Sequence, residues 1–586
     1  MKKMTKIISF ILTIAMLVLP LPAYAVEVVE DTVVDLNPGG ISQTLQSMHE
    51  TAPLETYPVV IWLKDIDTTK AVEAATSTIQ NFETRSTYLA NTARMTAAES
   101  EEYNRYIDIK RDAKRSCYEA YTANFASNYL NASEIVYCSK YLPVINAELS
   151  YARIKALASR PEVEAIGYDA EDEWEETPEP IVAAPLTANA PAGYYTIDEM
   201  IEYLGVDEVW DGMLEGQTVN VGIIDIGLPD IDNTIFSNYS VYNQYIPPNG
   251  PDVHPSAMLE IITRIAPEAT FYCTSYASIK GSPLTATQSF DWLLQNSVYV
   301  INISAETYHE DYNQYEQGGY LLDKYVSVYG VTIVVAAGNY AELGLHSGGL
   351  SYNAIVVGDY NRYNDTINPL SSYYYASTYA YKPDICAPGY LIRSFPNTSN
   401  GNYYTSGTSN ATAVTTGVIA LLLTLRGHLR EQPATVKAIV TAGVNTTSTN
   451  HHYVPTDTGY IKYGAGVLNA RRAYDITDEM SYTNDWLSIT SDDFSHIVYL
   501  TSGTITRISL SFLRVCRIYD ASPIYDLSNM DLYIYDPLGK VVEYSITTNN
   551  NVEIVEFTPT INGNYTVKVT NEYSDTFTAF GISWIQ

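Results

Sequence analysis

Five short, mainly apolar runs punctuate the middle of the chain: Thr218–Ile224, Ala269–Thr274, Val298–Ile303, Val331–Val335 and Ala354–Val357. Continuous apolar runs of this length need cover on both faces, so they predict a mostly parallel sheet with helices packed on either side. In such sheets ligands bind beyond the carboxyl ends of the strands. Those ends read Asp225, Asn302 with Ser304, and Asn339. Polar side chains are therefore gathered on the edge where chemistry would be placed.

The flanks differ in kind. Residues 1–25 combine Lys2, Lys3 and Lys6 with an apolar run from Ile7 to Leu19 and with Ala23-Tyr24-Ala25, the pattern of a secretory signal peptide. The expected product is secreted and extracellular, with no membrane anchor, since no later stretch reaches the roughly 18 apolar residues of a membrane span. Residues 26–193 read as an α+β unit. Strands are expected at Tyr57–Leu63, Tyr141–Leu149 and Val163–Tyr168, with a short helix at Tyr151–Ser159 behind Ser150 as N-cap. One or two amphipathic helices are expected between about Thr69 and Tyr129, where Gly and Pro are almost absent. The tail, Asp169–Gly193, turns to Glu, Pro and Ala and reads as an exposed linker where a protease could cut. Residues 194–478 hold the parallel sheet. In residues 479–586 helical periodicity stops, and runs such as Asp531–Gly539 and Gly563–Val569 between turn residues predict a separate all-β sandwich.

A formal charge of −34 argues against nucleic acid or an anionic membrane as the main partner. Solubility is its plainest reading, and basic peptide partners the sharper one. Five scattered cysteines, Cys117, Cys138, Cys273, Cys386 and Cys516, make neither a disulfide framework nor a zinc spacing. Cys117 with Cys138 is the one pairing that suggests itself; Cys273 and Cys386 read as small buried residues.

The most apolar run, Val418–Leu423, follows Ser406-Gly-Thr-Ser-Asn-Ala-Thr-Ala-Val-Thr-Thr-Gly417. This order predicts a sharp bend at Gly407, Thr408 as a cap, and Ser409 in the first turn of a buried helix. Unpaired N–H groups and the helix dipole there favour an oxyanion. Ser409 is either a capping serine or a nucleophile, and a nucleophile needs a base and a carboxylate to orient that base. His254 precedes Pro255 and the apolar Met258, Leu259, Ile261 and Ile262, and so opens another helix. Asp225 closes the first buried strand, so the three face one sheet edge. His309 and His346 start no apolar helix. Asn339, at the end of Val-Val-Ala-Ala-Gly-Asn, is either a turn asparagine or a donor to the oxyanion of a tetrahedral intermediate.

These segments resemble the subtilisin-like serine proteases. Gly-Ile-Ile-Asp225-Ile-Gly, His254 with its helix and Ala-Pro-Glu-Ala269, Ala-Ala-Gly-Asn339, Lys382-Pro-Asp-Ile-Cys-Ala-Pro-Gly389 and Gly407-Thr-Ser409-Asn-Ala stand in the family's order. Tyr463-Gly-Ala-Gly-Val-Leu-Asn469 resembles its usual last motif. The resemblance implies a subtilisin-like α/β fold, with Asp225, His254 and Ser409 catalytic and Asn339 the oxyanion donor. By it, Ser304, Ala305 and Glu306 form the substrate-binding strand. It implies protein or peptide substrates and no cofactor for the chemistry. Calcium is common in the family, but no ligand set maps onto this chain, so the metal site stays unknown.

Tyr57–Asp169, especially Leu142-Pro-Val-Ile-Asn-Ala-Glu-Leu149 through Pro161-Glu-Val-Glu-Ala-Ile166, resembles the family's inhibitory propeptide, enlarged by a helical insert of some sixty residues, which makes 26–193 the expected propeptide. The resemblance makes the chain's own propeptide a partner that templates the catalytic domain and is released by a cut in the linker. Residues 479–586 resemble the pre-peptidase C-terminal domain. The chain departs from the family at Pro255, Ser256, Ala257 and Glu260 after the histidine, and at Asn410, Ala413 and Val414 after the serine. A secreted endopeptidase made as a zymogen and working through an acyl-enzyme is therefore weighed against an inactive relative that binds peptide without cutting.

Overall fold

The computed structural model describes residues 40–77, 79, 95–169, 182–183, 195–246, 250–275, 284–305, 317–341, 344–345, 348–363, 365–373, 381–394, 402–445, 462–487, 493–514, 529–548, 550–573 and 578–586. The N-terminal unit is a five-stranded sheet in the order Gly40–Ile41, Val163–Tyr168, Tyr57–Leu63, Val144–Leu149, Ile135–Cys138, antiparallel except for the first pair. The two edge strands escape the sequence pattern because they are short and only partly buried. Between the second and third strands of the chain lie helices Thr69–Thr76 and Ala97–Tyr129. The latter opens on a capping box: Thr96 Oγ1 accepts from Glu99 N at 3.3 Å and the Glu99 carboxylate accepts from Thr96 N at 2.9 Å. Cys117 and Cys138 are free thiols, so the suggested disulfide is not formed.

All five apolar runs fall on one large sheet. Its order is Val444–Asn445, Val467–Leu468, Ile385–Pro388, Ile355–Asn361, Thr332–Ala336, Val300–Ile303, Asn220–Ile224, Thr270–Thr274, Ser240–Asn243. The seven strands from Ile385–Pro388 to Ser240–Asn243 are mutually parallel. Ile224 pairs with Ile303 and Ile303 with Val335, which brings the carboxyl ends of the three central strands level.

Against this sheet lies helix Thr408–Leu425, buried at every position except Thr424. By length and composition it could cross a membrane, which the sequence reading did not anticipate, yet 94% of it is buried inside the protein. It crosses helix Val253–Ile265 where Gly417 meets Ile265.

The tail expected to be an exposed linker is partly structured. Val182–Ala183 pairs antiparallel with Tyr403–Tyr404, in the strand Asn402–Thr405 that leads to Ser409, and Tyr195–Thr196 pairs with the neighbouring Leu391–Ile392. The C-terminal part forms two four-stranded antiparallel sheets, but it is not a detached module. One of its sheets covers helix Pro433–Ala442, all ten residues of which are buried. The approach is so close that a Cβ on Gly581 would come within 2.4 Å of Thr435 Cα. Polar groups seal the joint: Ser583 Oγ donates to Ala438 O at 2.6 Å, and Arg514 and Asn353 exchange two hydrogen bonds at 2.8 and 2.9 Å.

Candidate active site

Asp225 immediately follows the strand Asn220–Ile224 and is fully buried. Asp252 caps helix Val253–Ile265, its carboxylate accepting from His254 N at 3.2 Å. Pro255 is thus third in the helix rather than first, still among the positions whose N–H would lack an intrahelical acceptor. The cap aims the His254 ring back at the strand end, with Nδ1 2.6 Å from Asp225 Oδ1. Ile226 N donates to the same oxygen at 2.7 Å. Burial raises the Asp225 carboxyl above its ordinary value, and the His254 ring opposes that rise. With Nδ1–H directed at the carboxylate, Nε2 is the ring nitrogen left to act as a base.

Helix Thr408–Leu425 starts one residue earlier than a Thr408 cap requires. Gly407 is the N-cap and is extended, with φ 160° and ψ 167°, so no left-handed bend is made there. Freed from capping, the Thr408 hydroxyl accepts from Gly338 N and donates to Asn339 Oδ1, each at 3.2 Å. Thr408 N donates to the same Asn339 Oδ1 at 3.1 Å. Asn339 is therefore tied to the residue beside Ser409, with Nδ2 as the donor end of its amide.

Ser409 occupies the first turn, 3% exposed. Its Oγ donates to Ser304 O at 3.3 Å, and Ser304 Oγ donates back to Ser409 O at 3.2 Å. Behind this pair Asn302 Nδ2 donates to Ser304 Oγ at 2.9 Å and Thr416 Oγ1 donates to Asn302 Oδ1 at 3.2 Å. Sequence reasoning missed Thr416. The available signal was its position seven residues, two helical turns, beyond Ser409 on the same face. Asn410, one of the departures from the family pattern, donates to Gly389 O at 2.7 Å and Thr405 Oγ1 at 2.9 Å, holding the strand before the serine.

Ala305 is buried beside Ser304. Glu306, His309 and His346 lie outside the described residues. Among the described residues no group of three or more His, Cys, Asp or Glu side chains could hold a metal ion.

Residues 217–460 match the family model described as the subtilase family. A thermostable alkaline protease of Halalkalibacterium halodurans is 24% identical over 408 residues, covering 66% of this chain and 95% of that protein. Solved structures similar to part of the chain include the prenylagaramide maturation protease PagA, with 22% identity over 46% of this chain and 97% of that one, TM-score 0.38. The patellamide maturation protease PatA shows 22% identity over 45% of this chain and 98% of that one, TM-score 0.38.

Proposed function

We infer that this chain, a serine protease whose residues 217–460 form a subtilase-family domain of the subtilisin-like α/β fold, is a secreted endopeptidase made as a zymogen. The observation that carries the reading is the 2.6 Å contact between His254 Nδ1 and the buried Asp225, on the same sheet edge as the helix that starts at Thr408-Ser409. In the proposed reaction His254 Nε2 takes the Ser409 proton as Oγ attacks the scissile carbonyl. Asp225 holds the ring in the right tautomer and stabilises the imidazolium that forms. Asn339 Nδ2 donates to the tetrahedral oxyanion in the positive field of the helix start. Collapse gives an acyl-enzyme on Ser409, which water then hydrolyses.

Residues 26–193 act as the propeptide in this reading, and a cut within the linker matures the enzyme. The signal-peptide pattern of residues 1–25 supports export. Glu306 stands where the resemblance implies the mouth of the primary pocket. Its carboxylate either shortens that pocket towards small residues, attracts Lys or Arg on the amino side of the cut, or turns outward and leaves specificity broad, and the acidic charge of the chain favours the basic residues.

Ser409→Ala tests the assignment. The variant is expected to fold, to lose peptide hydrolysis and labelling by a serine-directed phosphonate, and to persist as an uncut precursor. Substantial peptidase activity in the purified variant would refute it.

A further inference from the structure

Resting on the reading of Ser409 as nucleophile, we propose that Thr416 is a positioning residue of the active site. Through Asn302 and Ser304, its hydroxyl fixes the first turn of the nucleophile's helix and the carbonyl on which the Ser409 hydroxyl rests.

Thr416 is fully buried, two helical turns beyond Ser409 in helix Thr408–Leu425. Its Oγ1 lies 2.9 Å from Thr412 O, within the helix, and 3.2 Å from Asn302 Oδ1, on the strand Val300–Ile303. Thr412 and Thr415, buried in the same helix, also turn their hydroxyls onto carbonyls one turn back, Thr408 O at 2.7 Å and Ala411 O at 2.9 Å. Bonds of that kind are the ordinary way for a helix to satisfy a threonine hydroxyl. Of these three threonines, Thr416 alone also reaches a second element among the described residues.

The direction of each bond dictates the next. Ser304 Oγ donates its one proton to Ser409 O at 3.2 Å, so a donor must meet its lone pairs, and Asn302 Nδ2 does so at 2.9 Å. That turns Asn302 Oδ1, in a fully buried side chain, towards Thr416, whose Oγ1 is its one side-chain donor among the described residues. The Ser409 hydroxyl in turn donates to Ser304 O at 3.3 Å, and Ser304 N donates to Ile224 O at 3.2 Å, beside Asp225. Ser304 is thereby held between the strand that leads to the carboxylate and the helix that bears the serine. The Thr416 hydroxyl sets which way the chain of donors runs.

Valine at 416 would keep the shape and remove the donor. The two orientations of the Asn302 amide then become nearly equal, since each leaves one buried polar group facing the valine. In the turned orientation the amide oxygen faces Ser304, the Ser304 proton moves onto it, and the bond to Ser409 O is lost. The Ser409 hydroxyl must leave Ser304 O to deliver its proton to His254 Nε2, and a loosened first turn misplaces it for that transfer. The strand itself stays in place through Ser304 N, so the loss falls on kcat rather than on KM.

The test compares the full-length parent with Thr416→Val, Thr416→Ser and Thr415→Val, reading kcat and KM on a peptide amide and the rate of labelling by a serine-directed phosphonate. Melting temperatures are read on the Ser409→Ala background. Thr415→Val removes the same kind of helix-internal bond without touching Asn302, and is expected to keep the parent's kcat. Thr416→Val is expected to lower kcat and labelling together by about five- to tenfold, one hydrogen bond's worth, with KM unchanged and a melting temperature equal to that of Thr415→Val. Thr416→Ser, which keeps the donor, is expected to restore the parent's kcat. If Thr416→Val does not fold, Thr416→Ala is read against Thr415→Ala by the same criteria. A kcat for the hydroxyl-free variant within about twofold of its Thr415 counterpart, or a loss that serine fails to restore, would overturn the proposal. Failure of the nucleophile reading has a different signature: Ser409→Ala would keep its activity and the phosphonate would label another residue, and the role of Thr416 would fall with it.

Discussion

Gly417 is the point where the helix carrying Ser409 touches the helix carrying His254. A Cβ placed there would lie 2.8 Å from Ile265 Cβ, 2.9 Å from its Cγ2 and 3.1 Å from its Cδ1. Carbon atoms prefer about 3.5–4.0 Å, so all three contacts fall short at once. Ile265 is fully buried and cannot swing aside, which leaves separation of the helices as the relief. Alanine gains about 1 kcal/mol of helix propensity over glycine, against about 1–3 kcal/mol for overpacking. The net expectation for Gly417→Ala is a loss of about 1 kcal/mol, or about 2–4 °C in melting temperature for a domain of this size. Gly417→Val, with two further methyls and a poorer helix propensity, should lose about 3 kcal/mol or more. Because the two helices bear the proposed base and nucleophile, kcat/KM should also fall, by up to about 10²-fold per ångström of displacement. Melting is measured on the Ser409→Ala background to avoid self-digestion, and kinetics on the active chain. A melting temperature equal to or above the parent's for Gly417→Ala, with unchanged kcat/KM, would show that the helices do not set the geometry.

Asp225→Asn should keep the fold but lower kcat by about 10⁴-fold, because an asparagine amide presents the wrong partner to His254 Nδ1; a loss below tenfold in steady-state assays would contradict the assignment. Glu553, buried in the C-terminal sandwich and bonded to Ser545 and Thr547, has its carboxyl pushed up to about 8 by burial. A folded value above the unfolded one means stability present below about pH 4.5 and lost as pH rises through about 8. Denaturant unfolding from pH 5 to 8 should show that decline in the parent and a flatter profile in Glu553→Gln; identical slopes would refute the attribution. Peptide-library profiling should show a preference for Lys or Arg that Glu306→Gln abolishes, whereas a preference unaltered by the substitution would remove the ion pair from the account.

Residues 225, 254 and 409 were legible because their placement is local: a strand end and two helix starts are written in a few neighbouring residues. The apolar runs were legible for a similar reason, since a strand covered on both faces leaves no polar alternation, and each run lies on the large sheet with its ends shifted by a few residues. What joins distant segments was not. Lys382 and Asp384 share one motif and bond at 2.8 Å, but the other Asp384 oxygen is held by Lys437 at 2.9 Å, from a helix whose sequence gives no hint of it. That ammonium also donates to Tyr352 O and Ala354 O at 2.8 and 2.9 Å, so all three of its protons are used, although burial pushes its value down. Thr408 has the residue type of a cap, and only the approach of Gly338 and Asn339 turns its hydroxyl away from that role. The amphipathic pattern of Ala97–Tyr129 predicts a helix but not that it meets the amino edge of the large sheet, where Asn104 donates to Thr218 O and Arg111 to Val298 O. Periodicity records that a face is buried; the identity of what buries it is decided by the complementary carbonyls, rings and charges of residues more than a hundred positions away.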